Sequence, residues 1–189
     1  LIGDWNCDGT ATPGVYRSKF WHLYLSNDLQ SGVTNVDFYF GNPGDIALAG
    51  DFDGDGCDTI ALYRPSTATF YLRNSLTSGS AEVTVEFGNP GDTPFVGDFD
   101  GDGRQDVLFS RTGGTPAGLV LMTTPSVGAP EFVATAAVAN GSLFSEVAVA
   151  DVDADGDVDL IAASFQSSVD WQLLLNDGAG NFTVAPPAQ

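Results

Sequence analysis

The apolar residues of this chain fall in short runs, and no window sustains a 3.6-residue apolar period with a cap at its start. Segments such as Thr59 to Tyr63, Thr69 to Arg73, Val83 to Phe87 and Pro94 to Val96 are rich in β-branched and aromatic residues and bounded by Gly, Pro, Asn or Ser. They read as four short antiparallel strands in one repeating unit. The 23 Gly and 10 Pro interrupt the chain too often for long helices, so helix content is expected to be very low.

The unit recurs along the chain. Gly-Asp-Trp at residue 3 returns as Gly-Asp-Phe at residues 50 and 97, a period of 47, and a diverged copy, Ala-Asp-Val, starts at residue 150 after 53 more. Phe40-Gly-Asn-Pro-Gly-Asp45 repeats as Phe87-Gly-Asn-Pro-Gly-Asp92, and Val15-Tyr-Arg-Ser18 resembles Leu62-Tyr-Arg-Pro-Ser66. A four-stranded unit of this size matches a β-propeller blade, because one small twisted sheet cannot bury both faces alone. The expected fold is therefore all-β: a β-propeller-like array of four four-stranded antiparallel blades in a single repeat domain, 1–189, with approximate units 1–47, 48–94, 95–147 and 148–189. Asn181-Phe-Thr-Val184 falls where Phe40-Gly-Asn-Pro-Gly lies in its own unit, while Leu1-Ile-Gly-Asp4 resumes at the next strand. One blade combining both termini is one solution. Exchange of the terminal strand with a neighbouring copy, giving a homo-oligomer or filament, is the other.

Charge adds a missing component to this picture. With 25 acids against 6 bases the formal charge is −19, which disfavours nucleic acid and anionic membrane as partners. Fifteen of the 25 acids sit in four segments, 4–8, 51–58, 98–106 and 151–159. Four divalent ions would bring the charge to about −11. The 43% apolar content suffices for a sizeable core, and without a long apolar run no membrane insertion is expected. The start lacks a charged-then-apolar leader, so the chain reads as a mature product or a fragment.

The four acidic segments share one grammar. Loop three places Asp98, Asp100, Asp102 and Asp106 at positions 1, 3, 5 and 9 with Gly103 at 6, and loop four repeats this with Asp151, Asp153, Asp155, Gly156 and Asp159. Position 7 would add a backbone carbonyl, from Arg104 or Asp157. Loop two carries Asp51, Asp53, Asp55, Cys57 and Asp58, with Thr59 at position 9; loop one has only Asp4, Asn6 and Asp8, then Thr12, and is expected to bind weakest. Alternating carboxylates around a Gly-permitted turn suit calcium, which takes six to eight hard oxygen ligands, so up to four ions are expected. An EF-hand is excluded because position 12 is Leu62, Phe109 or Ala162 rather than Glu, and the flanks read as strand.

These loops, with Phe-Gly-Asn-Pro-Gly-Asp between them, resemble the FG-GAP repeats of integrin alpha-subunit propellers. The fourth unit, ending Leu173-Leu-Leu-Asn-Asp-Gly-Ala-Gly-Asn-Phe182, resembles the related VCBS-type repeat. The resemblance implies blades whose hairpin loops carry calcium, and a role in cell adhesion. Integrin-like propellers usually have seven such units where this chain has four, which leaves a pairing half ring, a four-bladed ring and a fragment as possibilities.

Catalytic chemistry is poorly represented. The one histidine, His22, lies in the aromatic segment Phe20-Trp-His-Leu-Tyr24, where packing or an exposed edge is expected. Glu82, Glu86, Glu131 and Glu146 are scattered, and no zinc-type His/Cys cluster or phosphate loop occurs. The chain is read as non-enzymatic, secreted or at the cell surface, where millimolar calcium fills weak sites, with a protein or glycan ligand at the cell exterior. Alternatives are a carbohydrate-binding accessory domain of a secreted enzyme and a repeating subunit of an extracellular filament. Trp5, Trp21, Tyr24, Tyr39, Tyr63, Tyr71 and Trp171 either pack the core, the favoured expectation, or form a binding face. Cys7 and Cys57 either form one disulfide between adjacent loops or stay as buried thiols. Two sequons, at Asn140 and Asn181, add little.

Overall fold

The computed structural model describes residues 1–111, 118–123, 133–135, 146–163 and 171–186; the Asn140 sequon and Glu131 lie outside them. All regular structure among these residues is strand, in four antiparallel sheets of four strands each, every sheet a meander in chain order. Sheet one comprises β1 (Ile2–Gly3), β2 (Thr12–Arg17), β3 (His22–Leu25) and β4 (Val36–Tyr39). Sheet two comprises β5 (Ile46–Gly50), β6 (Thr59–Arg64), β7 (Thr69–Arg73) and β8 (Val83–Glu86). Sheet three comprises β9 (Thr93–Gly97), β10 (Asp106–Arg111), β11 (Gly118–Thr123) and β12 (Val133–Thr135). Sheet four comprises β13 (Glu146–Ala150), β14 (Asp159–Ala163), β15 (Trp171–Asn176) and β16 (Phe182–Val184).

Two expectations about strand membership change. Pro94 to Val96 does not finish sheet two: β9 pairs with β10, with Val96 opposite Val107 and Gly97 opposite Asp106. The Phe87–Asp92 turn, with Gly88 and Gly91 both at positive φ, lies between β8 and β9. Nor, among the described residues, does any sheet combine the chain ends, because β1 pairs with β2 and β16 with β15. The amide of Gly14 also donates to the Leu1 carbonyl, extending the β1–β2 pairing to the first residue.

The contacts gather the chain into two compact units, one built on Leu1–Pro90 and the other beginning at Gly91. In the first, Leu23, Leu25 and Phe38 on one face of sheet one pack with Ile60 and Leu62 of β6, alongside Trp5 and Phe40. In the second, Leu108, Leu119 and Leu121 of sheet three pack with Leu160, Ala162 and Leu174 of sheet four, alongside Phe99. The two cores use the same faces. Counting from the first acid of each loop, the even-numbered positions of the second strand, such as Ile60 and Leu160, meet the preceding sheet. Each such aliphatic side chain contributes about 1.5–3 kcal/mol on burial.

The Phe-Gly-Asn-Pro-Gly-Asp turn has a structural task of its own. Asp45 closes its turn by accepting from the Asn42 amide at 2.8 Å, and is clamped by Arg64, whose Nε and Nη2 each donate at 2.8 Å. The Arg64 guanidinium also lies 4.4 Å from the Tyr71 ring centre. This ties Arg64 of the Leu-Tyr-Arg segment to the Asn-Pro-Gly-Asp turn that precedes its sheet.

Candidate metal centres

Each acidic loop joins the first and second strands of its sheet, so the antiparallel register fixes both of its ends. The last residue of the first strand pairs with position 9: Gly3 with Thr12, Gly50 with Thr59, Gly97 with Asp106 and Ala150 with Asp159. Position 9 is buried in all four loops, at 3%, 3%, 0% and 0% exposure respectively, so Asp106 and Asp159 project under their loops rather than into water.

Within the loops the hydrogen bonds repeat in register. The position 1 carboxylate accepts from the position 6 amide in every loop: Asp4 from Gly9 at 2.7 Å, Asp51 from Gly56 at 2.9 Å, Asp98 from Gly103 at 3.0 Å and Asp151 from Gly156 at 3.2 Å. The position 5 carboxylate accepts from the position 7 amide, at 2.8 Å for Asp8 and Thr10, 2.9 Å for Asp55 and Cys57, 2.9 Å for Asp102 and Arg104, and 3.0 Å for Asp155 and Asp157. Two left-handed residues make the coil. Position 6 is always Gly, and position 4 has φ of 61° at Cys7, 76° at Gly54, 74° at Gly101 and 64° at Ala154. The position 4 requirement escaped the sequence reading because only two of its four occupants are Gly.

The result is convergence of carboxylates. One oxygen each from Asp51, Asp53 and Asp55 lies within 4.8 Å of the others, and the same holds for Asp98, Asp100 and Asp106 and for Asp151, Asp153 and Asp159. Desolvation, then the neighbouring Asp55 carboxylate, push Asp53 above the ordinary carboxylate range; desolvation and Asp102 do so for Asp100, and desolvation and Asp155 for Asp153. Such a set of hard, mutually repelling oxygens fits a divalent cation. Loop one assembles no such triad: Asn6 donates to Asp8 at 2.9 Å, and that bond holds the Asp8 carboxyl below its usual range.

The side chains at the other expected positions have partners of their own, which at Cys57, Arg104 and Asp157 leaves the position 7 backbone carbonyl out of account. Asp58 turns to loop one, accepting from the Asp4 amide at 2.7 Å, and its own amide donates to the Asp4 carbonyl at 2.9 Å. Arg104 pairs with Asp102 through its guanidinium. Asp157 lies beside the β15–β16 turn, so close that a Cβ on Gly178 would come within 2.6 Å of its carboxylate. Cys57 is joined to Cys7 in a disulfide with Cα atoms 4.7 Å apart, which decides between the two readings of the cysteines.

Two asparagines at the end of third strands were not foreseen. Asn74 donates to Asp53 at 2.6 Å and keeps its own buried carbonyl oxygen unpartnered, a further hard oxygen beside loop two. Asn176 donates its amide to Asp159 at 2.9 Å and its side chain to the Phe99 carbonyl at 2.9 Å. Their shared place, one strand beyond the loop, is the signal a closer alignment of the repeats could have used.

The aromatic residues divide between core and surface. Trp5 and Tyr63 are buried, whereas Trp21, Tyr39 and Trp171 are 40%, 51% and 63% exposed. The His22 ring stacks on Tyr39 with centroids 4.1 Å apart, and its Nε2 lies 3.0 Å from Asp37.

Comparison with known proteins bears on the fold. A search of solved structures finds one described as showing the structural basis of specific recognition of non-reducing terminal N-acetylglucosamine by an Agrocybe aegerita lectin, at a TM-score of 0.64 and 20% identity. The match covers 97% of this chain and 50% of the lectin chain, so the chain spans about half that protein's length and shares its fold. No curated protein matches the chain. Residues 51–109, which hold loops two and three and the turn between them, match the FG-GAP-like repeat family, and the chain therefore carries an FG-GAP-like repeat.

Proposed function

We propose that this chain is a non-enzymatic ligand-binding module of the β-propeller kind, whose acidic loops bind calcium to hold the sheets in shape. The observation that carries the reading is the convergence of three carboxylates in the acidic loop of each of three successive sheets, at positions 1, 3 and 5 in loop two and 1, 3 and 9 in loops three and four. Calcium suits the hard oxygen donors and the Gly-shaped coil, and it turns repulsion within each loop into a cross-link between strand ends.

A location outside the cell is supported by the Cys7–Cys57 disulfide, since such bonds persist in oxidising compartments. Among the described residues no helix is long and apolar enough to cross a membrane. A glycan ligand is favoured over a protein one by the fold shared with a lectin that recognises terminal N-acetylglucosamine.

A glycan array probed with calcium-loaded protein, repeated in chelator, tests this function. Binding to a defined set of glycans that is lost in chelator and restored by calcium is expected. Failure to bind any glycan would remove the ligand assignment, and chelator-resistant binding would separate the metal from the function.

A further inference from the structure

Loop two departs from loops three and four at one place. In those loops the converging triad takes position 9, Asp106 or Asp159, together with positions 1 and 3; in loop two it takes positions 1, 3 and 5, because position 9 is Thr59. The Thr59 hydroxyl donates to the Gly50 carbonyl at 3.4 Å, so it is committed to the backbone. Loop two therefore lacks the oxygen that the other two receive from below, while calcium still requires six to eight.

The strand register shows what stands beside that gap. Ile60 pairs with Arg73, so one step further Thr59 faces Asn74, and directly opposed side chains share a face of the sheet. Asn74 reaches the loop: its Nδ2 donates to Asp53 at 2.6 Å, while its Oδ1 is buried and has no partner. A buried amide oxygen left unpaired costs free energy, and beside a carboxylate cluster the group that satisfies it is a cation. The sheets that keep the acid do without this amide. Val107 pairs with Met122 and Leu160 with Leu174, which puts Thr123 opposite Asp106 and Leu175 opposite Asp159. Asn176, one residue beyond, donates its side chain to the Phe99 and Val158 carbonyls rather than to a loop carboxylate. Sheet one repeats the exchange: Thr12 holds position 9, and Asn27, opposite it by the same register, has a buried side-chain oxygen without a partner.

We propose that the Asn74 side-chain carbonyl is a calcium ligand of loop two, replacing from the third strand the carboxylate that position 9 supplies in loops three and four. The proposal rests on the calcium reading above and adds to it a neutral donor from outside the loop. Turning the terminal amide about its last bond exchanges Nδ2 for Oδ1 beside Asp53, and that torsion is broad and roughly two-fold. Without the ion the amide donor faces the carboxylate; with it, the oxygen faces the cation.

The test is a calcium titration of the chelator-stripped full chain followed by nuclear magnetic resonance, in which the position 6 amides of Gly56, Gly103 and Gly156 report loops two, three and four separately. Asn74→Ala is expected to weaken loop two on the order of tenfold and to leave the other two loops unchanged. Asn74→Asp removes the donor but adds a charged oxygen, and should bind more tightly than the native chain. In the Asn74→Ala background, Thr59→Asp should restore binding by putting back the position 9 acid. Equal loss in Asn74→Ala and Asn74→Asp would make the amide only a donor that braces Asp53, and overturns the ligand assignment. A Gly56 titration unchanged in Asn74→Ala overturns it too, and if Gly103 and Gly156 still respond the calcium reading stands. If none of the three glycines responds to calcium, both fall together.

Discussion

Among single residues, the recurrent Gly-Asp-aromatic triplet answers two demands at once. The Asp shapes the loop, while the aromatic side chain turns back beneath it: Phe52 and Phe99 are fully buried, and a Cβ on Gly97 would lie 3.0 Å from the Phe99 ring. At Gly3 the same atom would lie 2.7 Å from Trp5. The fourth copy breaks both rules together, with Ala150 in place of Gly and Val152 43% exposed. Gly97→Ala is therefore expected to cost about 1–3 kcal/mol in urea unfolding, from crowding in the core. Arg64→Gln should cost more, about 3–5 kcal/mol by the same measurement, because it leaves the Asp45 side chain, 1% exposed, charged and unpaired. The sequence displayed these triplets as a repeat, but the aromatic's inward turn depends on a sheet face that only the folded chain supplies.

For strands and loops, β6, β7 and β8 start at the residues their composition indicates, because β-branched runs between turn residues have few other options. Membership was harder to read. Nothing local to Pro94–Val96 says whether it pairs backward with β8 or forward with β10, and the register of β9 on β10 is a long-range choice. The same limit applies to Asp58, which sits in loop two by sequence and serves loop one by hydrogen bonding. Loops one and two are joined further by the Cys7–Cys57 bond, which spans a sequence separation of 50. Closing a loop of that length stabilises by about 4 kcal/mol in the chain-entropy model. Reduction, or paired Cys7→Ser and Cys57→Ser substitution, is expected to lower stability by about 2–4 kcal/mol in denaturant titrations, with loop one the first region to lose amide protection in hydrogen exchange.

Across the molecule, desolvation and then acid clustering in the loops give three carboxylates a pH response of the sign opposite to that of an ion-paired acid. Asp53, Asp100 and Asp153 are held above the ordinary carboxylate value of 3.8, so near that value the folded chain binds more protons at these sites than the unfolded chain. Their contribution to stability is fully present at lower pH and is lost as pH rises through the raised folded values. Asp8 and Asp177, held low by hydrogen bonds, act in the opposite sense at the surface. Metal-free protein should thus gain stability at these sites as pH falls through their raised values toward 3.8, while calcium affinity falls because protons compete for the same oxygens. Urea midpoints at pH 7 and about pH 4, with and without calcium, would show the two responses diverging.

Calorimetric titration of calcium into chelator-stripped protein, with thermal unfolding of both forms, tests the central claim most directly. The account predicts at least three bound ions, for loops two, three and four, with loop one weakest, and a gain of about 2.7 kcal/mol per ion at hundredfold excess over its dissociation constant. No heat of binding and no change in unfolding temperature at millimolar calcium would contradict it, and would reduce the acidic loops to solvated turns.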